Sequence, residues 1–130
     1  MNMPRVVTLL LAATSMLGVS VRTAPAHHST AIYDSANPIE LRGTVVEWKF
    51  TNPHTIIVLD VEDAGGTSKV WSVEGGNTAG LIRQGWTPLT LKPGDKIIVT
   101  VRPLRSGAPG GNYSNVRWED GTRVNPRGDR

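Results

Sequence analysis

From residue 41 onward, short apolar and β-branched runs alternate with clusters of Gly, Pro, Asn and Asp, the pattern of strands joined by turns. The first strand is predicted over residues 41–50. Leu41, Gly43, Val45, Glu47 and Lys49 fall on one face, and Arg42, Thr44, Val46, Trp48 and Phe50 on the other. Gly43 inside that run predicts a bulge. Thr51-Asn52-Pro53-His54 reads as a turn, and residues 55–62, with Ile56, Ile57, Val58 and Val61, as a second strand. Ala64-Gly65-Gly66 closes a hairpin into a third strand, 69–74, with Trp71 and Val73 on one face.

At Gly75-Gly76 the period changes. Asn77 suits the N-cap of a short helix over 78–84, and Gly85 suits its C-terminal end. Leu91-Lys92-Pro93-Gly94-Asp95 turns the chain into a fourth strand, 96–102. A glycine-rich loop over 106–112 precedes a fifth strand, 113–119, and 122–124 returns briefly after Asp120-Gly121. Three strands, a short helix and two strands form the element order of an OB-like fold. The expectation is therefore an all-β domain with one short helix, closed as a small five-stranded Greek-key barrel. An open β-sandwich is the alternative.

The first 26 residues differ in kind. Arg5 precedes an uncharged apolar run over 6–21, and Ala24-Pro25-Ala26 follows, a small-x-small peptidase pattern. Charged start, short apolar stretch and cleavage site together read as a secretory signal peptide. The expected organisation is a leader at 1–26, an extended arm at 27–40, a barrel domain at 41–124 and a frayed tail at 125–130. Localisation is expected in the periplasm or outside the cell, with no membrane span after cleavage.

Composition narrows the choice. The chain has 130 residues and no cysteine, so an exported form relies on packing alone, and thiol chemistry is excluded. The formal charge of +3 is partly the leader's, because Arg5 and Arg22 lie there and no acid does. The remaining balance is nearly neutral and gives no electrostatic case for nucleic acid.

His27-His28-Ser29, Leu41-x-Gly43-Thr44-Val45, Thr51-Asn52-Pro53-His54, Trp71-x-Val73-Glu74, Gly85-Trp86 and Leu91-Lys92-Pro93-Gly94-Asp95 together resemble DUF6152, an exported bacterial family of unknown function. The resemblance covers nearly all of the chain behind the leader. It implies an exported small β-domain with paired histidines near its processed start, and it assigns no activity.

Chemistry must therefore come from the side chains. The three histidines are His27, His28 and His54. Cleavage after Ala26 would free an α-amine on His27 beside its own imidazole. With His54 or His28 adding a further ring, the nitrogen-rich set would suit Cu(II). His28 could alternatively bind with the terminal amine and the intervening amide. Tyr33, Asp34 and Glu74 are candidate outer ligands. Against this stands the plainer account, in which His27 and His28 are a polar start and His54 bonds its ring to backbone. Glu74 has a plainer role too, as partner for the helix N-terminal N–H groups.

The aromatics Trp48, Phe50, Trp71, Trp86, Trp118, Tyr33 and Tyr113 read chiefly as packing, with Trp48 and Trp71 at core-like alternation. No hydrolase elbow, phosphate loop, zinc-protease helix or dinucleotide fingerprint is present, so catalysis finds little support. The expected function is an exported binding module, with copper as the candidate ligand through His27, His28 and His54. The alternative is a metal-free accessory domain for a larger exported partner.

Overall fold

The computed structural model describes residues 30–124. The expected leader, His27, His28 and the expected tail lie outside the described residues. Within them, a 3-10 turn at Thr30–Ile32 precedes β1 (Ile39–Lys49), β2 (Ile56–Glu62), β3 (Ser68–Glu74), α1 (Thr78–Arg83), β4 (Lys96–Pro103) and β5 (Gly110–Trp118).

The strands close into a barrel in the order β1-β2-β3-β5-β4. β1 makes closure possible by serving two ladders. Its first half pairs with β4, from Ile39 opposite Val101 to Thr44 opposite Lys96. Its second half pairs with β2, from Thr44 opposite Asp60 to Lys49 opposite Ile56. A short parallel contact, Ser72–Glu74 of β3 beside Gly110–Asn112 of β5, completes the ring. This is the OB-like barrel with one short helix, and closure rules out the open sandwich.

Inward positions fill the interior. Val45, Ile57, Leu59, Val73, Val99 and Val101 are at most 1% exposed, and burying each contributes about 1.5–3 kcal/mol. Leu81 of α1, Trp86, Leu91 and Val124 join this core. Val124 reaches it because the 122–124 segment returns as expected: its N–H donates to the Val116 carbonyl at 3.2 Å.

Three local expectations need correction. The bulge in β1 lies between Val45 and Glu47, not at Gly43. It swaps the faces of the strand, so Trp48 and Phe50 pack against the core while Val46 is 48% exposed. Gly43 serves close approach instead, since a Cβ there would stand 2.6 Å from the Asp60 carbonyl oxygen. The fifth strand starts at Gly110, within the expected loop. At Gly111 a Cβ would meet the Arg102 carbonyl oxygen at 2.4 Å, so a residue without a side chain lets β5 approach β4 there. The helix ends at Arg83, one residue short of the expected 84, with Gln84 as its C-cap, while Gly85 follows at φ +90° as the expected C-terminal glycine.

The aromatics divide as packing residues do. Trp86 is 3% exposed, and Trp48, Phe50, Trp71 and Trp118 are partly buried against the core. Trp48 lies 5.5 Å from both Phe50 and Trp86, ring centre to ring centre, in tilted geometry.

Candidate functional site at the junction of the arm and the Asn-Pro-His turn

Ahead of β1, residues 31–34 are strapped to the outside of the barrel. Tyr33 forms an isolated antiparallel bridge with Leu104. The Asp34 N–H donates to the Pro103 carbonyl at 2.8 Å, and the Arg105 N–H donates to the Ile32 carbonyl at 2.9 Å. The Arg105 guanidinium donates from Nε to the Ala31 carbonyl at 3.1 Å and stands 3.7 Å from the Asp34 carboxylate.

The strap delivers Tyr33 to the end of β3. Its hydroxyl donates to Glu74 Oε1 at 2.5 Å. Burial, together with the Glu74 hydrogen bond and charge, pushes the Tyr33 phenol up to about 12. It therefore stays protonated at neutral pH and acts as a donor. The Glu74 backbone carbonyl accepts from Asn112 Nδ2 at 3.2 Å, which ties β3 to β5 at the same point.

The Thr51–Thr55 segment converges on the next residues. Asn52 Oδ1 accepts from the Thr78 N–H at 3.1 Å and from its hydroxyl at 2.9 Å. His54 Nδ1 lies 3.1 Å from the Gly75 carbonyl. A carbonyl only accepts, so Nδ1 carries the hydrogen and the lone pair of a neutral ring sits on Nε2. The Thr55 hydroxyl, fully buried, donates to the Gly76 carbonyl at 2.9 Å and lies 2.8 Å from the Tyr113 hydroxyl. Burial pushes the Tyr113 phenol up to about 12, outweighing the opposing effect of Thr55.

Three of the six sequence-derived site residues thus meet on neighbouring backbone positions: Tyr33 on Glu74, and His54 on the adjacent Gly75, while Asp34 instead faces Arg105 and accepts from Asn37. His27 and His28 lie outside the described residues. Glu74 does not serve the helix, whose first turn is capped by Asn77, accepting from the Gly80 N–H at 2.8 Å, and by Asn52. Tyr33 and Glu74 bind each other. Among the described residues, no group of three or more His, Asp or Glu side chains is gathered to hold a metal. The Thr55–Tyr113 pair and Asn112 carried no signal in the sequence, because a Thr in a strand and a Tyr in a strand are ordinary packing residues until their register is known.

A match to DUF6152, a family of unknown function, runs over residues 15–113. The chain belongs to that family. No curated protein matches this DUF6152 member. Among solved structures it is similar to the mitochondrial single-stranded DNA-binding protein Rim1 of S. cerevisiae. That likeness has 7% identity and a TM-score of 0.47, and covers 64% of this chain and 94% of the other. Among the described residues of the DUF6152 chain, no helix is long and apolar enough to cross a membrane.

Proposed function

We propose that this DUF6152 protein is an exported binding module that holds a copper(II) ion where its processed N-terminus meets the Asn-Pro-His turn. The leader is removed between Ala26 and His27. His27 then binds through its α-amine and ring, and His54 and His28 supply further imidazoles. Such a set is nitrogen-rich, which favours Cu(II) among divalent ions.

One observation carries this reading: the arm and the turn are fastened to consecutive residues, Glu74 and Gly75. The His54 bond to a carbonyl also supports it, because a ligating imidazole ordinarily donates its other N–H to such a group and is thereby held in one tautomer. Thr30, the first described residue, is three positions from His27, a stretch that spans roughly 10 Å when extended. Tyr33 and Glu74 act in this reading by anchoring the arm.

The test compares two proteins: mature chain beginning at His27, and the same chain with one extra residue ahead of it. The first binds one Cu(II) much more tightly, and copper raises its unfolding temperature by linkage. Affinity falls in acid, because amine and imidazole must both be deprotonated. Equal affinity of the two proteins overturns the proposal.

Leu89 favours a second reading, an accessory domain for a larger exported partner. It is 76% exposed, yet its turn is rigid: Thr90 Oγ1 accepts from the Thr87 N–H at 2.7 Å, and Thr87 Oγ1 accepts from the Leu89 N–H at 3.1 Å. A leucine held out by a fixed turn is a knob for a partner's pocket. That reading predicts no change of stability with copper.

A further inference from the structure

At the opposite end of β3 from Glu74, the barrel has an open mouth. Strand alternation fixes which side chains face into it. Leu59 and Val73 are fully buried, so Val61, Trp71 and Lys69 share the inward side, with Leu59 opposite Trp71 and Val61 opposite Lys69. Leu41 of β1 completes the apolar wall. These residues, with Asp63, Thr67 and Ser68 at the rim, enclose a cavity of about 410 Å³. That volume lies within the range of small-molecule sites, roughly 300–1,000 Å³.

Most polar groups at this rim already have work. Asp63 Oδ1 accepts from the Gly65 N–H at 2.8 Å and the Thr67 N–H at 2.9 Å, closing the hairpin. The Ser68 hydroxyl donates to Asp60 Oδ1 at 2.7 Å. Among the described residues, none lies within ion-pair distance of the Lys69 ammonium. The mouth therefore combines a wall of Leu41, Val61 and Trp71 with one uncommitted cation, placed at the first inward position of β3.

We propose that this mouth binds a single-chain alkyl carboxylate, its tail against Leu41, Val61 and Trp71 and its head group on Lys69. Charge complementarity selects the head group: Asp63 at the rim is engaged by the Gly65 and Thr67 N–H groups, so an anion gains an ion pair with Lys69 on entering, whereas an ammonium would meet Lys69 as a like charge. The apolar wall selects the tail, since each methylene removed from water adds about 0.8 kcal/mol. The site shares no residue with the copper reading and stands or falls separately from it.

The test titrates the protein with decanoate, kept below the concentration at which it aggregates, and follows tryptophan emission together with binding heat. A saturable signal is expected, with the emission change lost in Trp71→Phe. Octanoate should bind several-fold more weakly, Lys69→Gln should weaken decanoate about three- to fivefold, and decyltrimethylammonium should bind more weakly than decanoate. Lys69→Gln alters an exposed side chain, and its unfolding temperature confirms that the fold is kept. Val61→Phe, which fills the mouth, should abolish binding. The proposal is overturned by absence of a saturable signal, by equal affinity for the ammonium and the carboxylate, or by wild-type affinity in Lys69→Gln. The first of these outcomes would leave Lys69 as a charge that guards a strand end against pairing with other chains.

Discussion

Gly75 lies over the ring of Tyr113 so closely that a Cβ on Gly75 would stand 2.0 Å from the ring carbon that bears the hydroxyl. The contact belongs to a brace between two strand ends. The Thr55 N–H donates to the Gly76 carbonyl at 3.0 Å, and the Gly75 N–H donates to the Thr55 carbonyl at 2.8 Å. Tyr113 packs beneath and touches the Thr55 hydroxyl.

Gly75→Ala should therefore destabilise the fold by about 2–3 kcal/mol, from overpacking against Tyr113 and loss of the Thr55 hydrogen bond as the ring is displaced. Equilibrium unfolding in urea measures this. A loss below about 0.5 kcal/mol, the scatter of ordinary surface changes, would show that the ring moves aside freely.

Tyr33→Phe removes the hydroxyl that reaches Glu74 and leaves the ring. The barrel should lose no more than about 1.5 kcal/mol. Amide exchange across residues 31–36 should nevertheless quicken several-fold, because the strap would keep only its contacts to Pro103, Leu104 and Arg105. Unchanged exchange would place the fastening elsewhere.

The helix is held at its start from two directions. Asn77→Ala should cost about 1 kcal/mol, the usual worth of an N-cap. Asn52→Ala removes the acceptor for the Thr78 N–H and hydroxyl and should cost a similar amount. Because the two caps serve the same first turn, the double mutant should depart from additivity in a double-mutant cycle. Strict additivity would argue that the two caps act independently.

Alkaline pH should unfold the protein through its tyrosines. Tyr33 and Tyr113 hold their protons up to about 12 in the fold, against 10.0 for the ordinary phenol. The unfolded chain thus loses these protons first. Their contribution is whole below about pH 10 and declines as pH rises from there toward 12. Phenolate absorbance and denaturant midpoints across that interval should show the decline, and Tyr113→Phe should make it shallower.

The strands and helix were legible because their signals are local: β-branched runs, Asn77 ahead of a helix, Gly94-Asp95 ahead of a strand. The facing of β1 was not. A bulge shifts alternation by one residue, and only the pairing of Val45 with Leu59 and Glu47 with Val58 reveals that Val46 is the extra one. The start of β5 was hidden for a related reason. Gly110 and Gly111 carry turn chemistry in the sequence, whereas the structure uses them where β3 and β4 crowd β5 from both sides. At the candidate site, His54 stood out as one of few histidines, but its Gly75 partner and the Tyr33–Glu74 contact join residues 21 and 41 positions apart. No local pattern encodes such a pairing.

The ring order places β5, the last strand to be made, between β3 and β4. A chain that stops short of Gly110 still has the neighbours β3-β2-β1-β4, but as a strip with two bare margins. Such a fragment would offer unsatisfied amides and carbonyls on both sides to any other fragment it met. Nascent chains therefore pass through a sticky stage until residues 110–118 arrive, and nonsense mutations just upstream should yield inclusion bodies instead of a smaller folded product.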